Sequence, residues 1–74
     1  MPKYIFVIKN GFHEDHIFDL QDDAAAVDEG LKTASGMVHD LSLPRTGTEI
    51  RTLDVREEGG EEILKVEIRA ARVR

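Results

Sequence analysis

The residues best equipped for chemistry in this sequence are two histidines set among carboxylates, His13-Glu14-Asp15-His16. Imidazole nitrogens and carboxylate oxygens are ordinary ligands for zinc and other divalent ions, so His13 and His16 are candidate metal ligands. The His-x-x-His spacing is not that of the zinc-protease motif, where the histidines stand at i and i+4 of a helix with Glu after the first. A third ligand would have to come from elsewhere, such as His39 or Asp40; the alternative is a polar loop with two exposed histidines. Fifteen acidic residues make carboxylate pairs abundant, and no position picks itself out as buried, which an acid–base catalyst requires. Ser35, Ser42 and the threonines lack a nucleophile elbow, and no glycine-rich loop leads from a strand into a helix. Without cysteine there is no thiolate ligand, disulfide or cysteine nucleophile. The reading is a protein with no catalytic residues and no cofactor.

Charge narrows the partners. Arg69, Arg72 and Arg74 make the C-terminal end basic, and with Lys65, Arg51 or Arg56 they could form a strip for a phosphate backbone or an acidic partner. No aromatic residue is interleaved there to stack on a base. A net charge of −5 argues against a general binder of nucleic acid or anionic membrane; the plainer reading is a solvated tail. Glu57, Glu58, Glu61 and Glu62 read as a solvated turn. The longest apolar run, Tyr4 to Ile8, is too short to cross a bilayer and falls short of the apolar region of a secretion signal. The expected setting is the cytoplasm.

Few elements are available to position these groups. At 74 residues the chain is one domain, residues 1–74, with a core small enough that oligomerisation often completes it. Tyr4-Ile5-Phe6-Val7-Ile8 suits a strand, with Tyr4, Phe6 and Ile8 on one side and Ile5 and Val7 on the other. Both sides are apolar, so Ile5 and Val7 are candidates for self-association, and a homodimer or an unknown protein partner is expected. Asn10-Gly11 reads as a turn, Phe12 to Asp15 as a loop, and His16 to Leu20 as a second strand candidate. Leu20, Ala24, Val27, Leu31, Ala34, Val38 and Leu41 recur at spacings of four and three, which lines one face of a helix capped by Asp22. Gly30 and Gly36 lie inside it, where either can allow close backbone approach, or Ser35-Gly36 can mark where the helix frays or kinks. Pro44 ends the helical pattern, and Leu43 to Gly47 reads as a loop.

The last third predicts a hairpin about Gly59-Gly60. Glu58 would face Glu61, Val55 Leu64, Leu53 Val66 and Arg51 Ile68, with Asp54 opposite Lys65 and Thr52 opposite Glu67. Apolar pairs then share one face and a charge pair the other. The fold class is α+β: a small antiparallel sheet, about ββαββ, with one amphipathic helix packed on one face.

Met1-Pro2-Lys3-Tyr4-Ile5-Phe6, Asn10-Gly11, the Asp22-led alanine-rich helix and Ile63-Leu64-Lys65-Val66 resemble a family of short bacterial proteins. They are common in alphaproteobacteria such as rhizobia and known only as a domain of unknown function. The resemblance implies an α+β fold over nearly the whole chain and brings no functional residue with it. A looser likeness to small antitoxin-type domains lacks their Pro-Gly-Cys step and stands at fold level only. The leading expectation is a self-associating interaction domain. Metal binding through His13 and His16, or a regulatory contact with nucleic acid or an acidic partner through the C-terminal arginines, are the alternatives.

Overall fold

The computed structural model describes residues 1–43 and 47–74. The predicted loop at Pro44, Arg45 and Thr46 lies outside the described residues. The elements are β1 (Lys3–Lys9), β2 (His13–Asp19), α1 (Asp23–His39), β3 (Thr48–Glu57) and β4 (Glu62–Ala71). The strands form one antiparallel sheet in the order β2-β1-β3-β4, and α1 lies on one face over β3 and β4. This is the α+β, ββαββ layout expected.

The core is where the first strand's even face meets the hairpin's. Tyr4 and Phe6 are buried beside Leu53 and Val55, and Ala26, Ala34 and Met37 close over them from α1. Burying such side chains contributes on the order of 1.5–3 kcal/mol each. The aromatic supply divides: Phe18 sets its ring edge-on against Phe6 at 4.8 Å between centroids and 64° between planes, while Phe12 projects into solvent.

Asp22 caps α1 as its sequence position predicts. Its backbone is extended, and its carboxylate accepts a hydrogen bond from the Ala25 amide at 2.8 Å. The face that α1 buries differs from the expected stripe. Ala26, Gly30, Ala34 and Met37 lie inward, whereas Ala24, Leu31 and Val38 are exposed. Gly30 explains the rotation. A Cβ there would stand 2.6 Å from Leu64 Cδ2 and 3.1 Å from Val55 Cγ2. The helix backbone rests directly on the sheet at Gly30, and the turns on either side of it carry the small residues Ala26 and Ala34, with the larger Met37 reaching the core only nearer the helix end.

The β3–β4 ladder has the predicted register from Arg51–Ile68 through Val55–Leu64. It departs at the tip. The Gly60 amide donates to the Glu57 carbonyl at 2.8 Å, so the turn centres on Glu58 and Gly59, with Gly59 at φ +73°. Only the second central residue has positive φ, the pattern of a type II turn. Glu57, rather than Glu58, bonds across to Glu61, and a bulge pairs Arg56 with Glu62. The extra residue, Ile63, is half-buried against the core beside Leu64. The bulge thus lets the glycine turn coexist with an added apolar contact.

The second strand starts earlier than expected. His13-Glu14-Asp15 is strand rather than loop, paired to Lys9, Ile8 and Val7, and the connection shrinks to Asn10-Gly11-Phe12 with Gly11 at φ +98°. Leu20 lies beyond the strand, its amide bonded to the Pro2 carbonyl. No position of β2 is buried or half-buried. An edge strand of this kind is held by its ladder with β1 rather than by burial, which is why hydropathy did not reveal its start.

Candidate functional site

Because β2 is a strand, alternation sends His13 and His16 to opposite faces of the sheet. His13 Nε2 lies 2.8 Å from Asp15 Oδ1 on the face away from the helix. His16 Nε2 lies 3.3 Å from Glu14 Oε2 on the helix face. Each imidazole closes on the carboxylate two residues away along its own strand. His39 and Asp40 stand at the C-terminal end of α1. Among the described residues no group of three His, Cys, Asp or Glu gathers where it could hold a metal ion.

Among the described residues one titratable group is strongly perturbed. Tyr4 is buried and donates its hydroxyl to Asp23 Oδ1 at 2.7 Å. Burial, then the bond to Asp23 and the negative charge of Asp23, Glu57 and Asp22, push its pKa from 10.0 up to about 12. The contact ties β1 to the first turn of α1, so its role is structural.

The C-terminal arginines do not form a strip with Arg51. That side chain belongs to the helix face, opposite Ile68, whereas Lys65 and Arg69 share the other face with Arg56. Arg69 lies 3.8 Å from Glu67. Arg72 and Arg74 follow the end of β4, where Arg72 Nε donates to the Arg74 carbonyl.

What the fold does assemble is a bare sheet face. α1 covers one side of the sheet, and among the described residues no helix or strand lies over the other. At its centre Ile5 and Val7 of β1 lie half-buried between β2 and β3, and Ile17 of β2, directly opposite Ile5, is 60% exposed. Around this patch the registers place Lys3, Lys9, Arg56, Lys65 and Arg69 among Asp15, Asp19, Asp54, Glu62 and Glu67. Lys3 bonds Asp19 at 3.0 Å. Cations and carboxylates balance on this face, although the molecule carries −5. The surplus negative charge lies on the helix side, the turns and the hairpin tip. Sequence reasoning found Ile5 and Val7 and missed Ile17, whose place beside them follows only from the β1–β2 register.

A four-stranded antiparallel sheet with one helix on one face and an uncovered apolar centre on the other defines a small α+β domain. The chain belongs to the domain-of-unknown-function family DUF6894, whose model matches residues 3–69. No curated protein matches the chain, and no solved structure does. No helix among the described residues is long and apolar enough to cross a membrane.

Proposed function

We propose that this chain is a non-catalytic interaction domain that self-associates, with its bare sheet face packing on the same face of a second copy. The supporting observation is the combination on that face of an apolar centre, Ile5, Val7 and Ile17, with a charge-balanced surround. Two molecules of net charge −5 repel at long range. Contact is least opposed where charges cancel, and a balanced face can set cation against carboxylate when it meets itself by two-fold rotation. Two sheets meeting this way form a sandwich about 10 Å deep.

Ile17→Lys is the cleanest test, because Ile17 is on an exposed edge strand and its replacement leaves the core untouched. Sedimentation equilibrium of the intact protein should show the face contact weakened, with the circular dichroism spectrum unchanged. An unaltered association constant in a folded Ile17→Lys chain would overturn the assignment of this face.

A further inference from the structure

The rotation of α1 away from its expected face leaves a second apolar surface. Leu31 and Val38 are each 51% exposed, and Val27 is half-buried beside them. All three lie roughly a quarter-turn around the helix from Gly30. Which flank this is follows from the topology. β2 and β3 are both antiparallel to β1, hence parallel to each other, and α1 joins them as a crossover. Such crossovers are right-handed. With that hand, a helix running from the Tyr4 end of the sheet turns Val27, Leu31 and Val38 outward past β4. The opposite flank, toward β1, carries Ala25, Glu29 and Thr33, all half-buried. The exposed flank therefore overhangs the free edge of β4.

That edge is ten residues long, contains no proline, and bears half-buried Leu64, Val66 and Ile68 beneath the overhang. An edge of this length presents unpaired backbone N–H and C=O groups that can template another strand. We infer that β4 pairs antiparallel with β4 of a second copy, joining two sheets into one and bringing the two helix flanks together. The sequence of β4 is self-complementary in one register. With the two-fold axis at Val66, Val66 meets its own counterpart and Leu64 meets Ile68 of the partner subunit. Lys65 meets Glu67 of the partner subunit, twice over by symmetry. Moving the axis to Glu67 sets glutamate on glutamate and Lys65 on Arg69. Moving it to Lys65 sets lysine on lysine. At Ile68 the charges again pair, but Leu64 is set against Arg72.

This contact uses a different surface from the sheet-face contact proposed above but shares Lys65 and Glu67 with its charged surround, so the charge variants are read in a background that weakens the face contact. In that background, Ile17→Lys, the chain should remain a dimer through β4. Adding Lys65→Glu or Glu67→Lys puts like charges opposite each other and should weaken that dimer roughly tenfold to a hundredfold. Mixing the two variants restores both ion pairs, so a one-to-one heterodimer should form, read by native mass spectrometry. Leu31→Lys, which lies on the helix and away from the bare face, should also dissociate it. A monomeric Ile17→Lys chain overturns the inference and leaves the sheet-face reading standing. A mixture of the charge variants that stays monomeric, or a Leu31→Lys chain of undiminished affinity, overturns it too.

Discussion

The two glycines of α1 should respond to the same substitution with opposite signs. At Gly30 an added methyl would lie 2.6 Å from Leu64 Cδ2 and 3.1 Å from Val55 Cγ2. Leu64 Cδ2 ends a flexible, half-buried side chain and can turn aside. Val55 is fully buried and β-branched, so its γ-methyl cannot. Relief must come from α1 lifting off β3 and β4, which loosens Ala26 and Met37. Overpacking of this kind costs about 1–3 kcal/mol, while alanine recovers about 1 kcal/mol of helix propensity. The expected net effect of Gly30→Ala is a loss of about 1 kcal/mol. At Gly36 nothing lies within 4 Å of the same methyl. Gly36→Ala should therefore gain about 0.5–1 kcal/mol. The variants then differ by about 2 kcal/mol, or roughly 8–16 °C in Tm for a domain of this size. Thermal unfolding followed by helical circular dichroism reads the difference, with all chains at one concentration so that any self-association shifts every Tm alike. If Gly30→Ala melts as high as Gly36→Ala, the helix is not seated by backbone contact, and the account of its rotated face is wrong.

Three further outcomes follow from the same structure. Asp22→Ala should destabilise the fold by about 1 kcal/mol through loss of the cap on the Ala25 amide, and Asp22→Asn should restore most of it, in urea unfolding. Tyr4 is the one tyrosine and there is no tryptophan, so phenolate absorbance reports it alone; its midpoint should come at about 12 rather than 10.0. Because the folded pKa is raised, this stabilisation is complete below the ordinary value and is lost as pH climbs through about 12. A folded protein whose phenol titrates at the ordinary value would refute the burial and the Asp23 bond together. Gly59→Ala must hold a side chain at φ +73°, and should cost roughly 1 kcal/mol by urea titration, with the β3–β4 register retained by amide exchange.

The legible and illegible parts of this sequence divide by side-chain size and by exposure. Apolar residues alternating with charges in both arms of the hairpin fix the β3–β4 register, because a one-residue slip would put Leu53 and Val55 in water. Asp22 was legible because capping is a local interaction. The buried face of α1 was not, because the side chains nearest the sheet are the smallest. Ala26 and Gly30 add little to a hydropathy pattern, so Leu31 and Val38 dominate it and draw the expected stripe around toward themselves. β2 was half legible: Ile17-Phe18 announces a strand, but His13-Glu14-Asp15 carries no apolar alternation, since neither of its faces is buried. With the start of the strand unseen, the two histidines read as neighbours in a loop, when the pleat sets them on opposite sides.

The sheet's two free edges show why one should pair and the other stay single. β2 presents Glu14, Asp15 and Asp19, with no lysine or arginine in the strand and each histidine already closed on a carboxylate. Two such edges brought together concentrate negative charge, which is one way natural sheets protect an edge. β4 alternates Lys65 with Glu67 and Arg69 on its outer face and carries Leu64, Val66 and Ile68 on the helix side. Antiparallel pairing of β4 with itself cancels charge and covers apolar surface in one step. Leu31 and Val38, each about half exposed on the single chain and part of the misleading stripe, then acquire a physical reason to be apolar. Under the proposed β4 pairing, the sequence pattern of α1 divides into two faces: the line of Ala26, Gly30 and Ala34 that seats the helix on its own sheet, and a larger-residue line that would meet its two-fold mate.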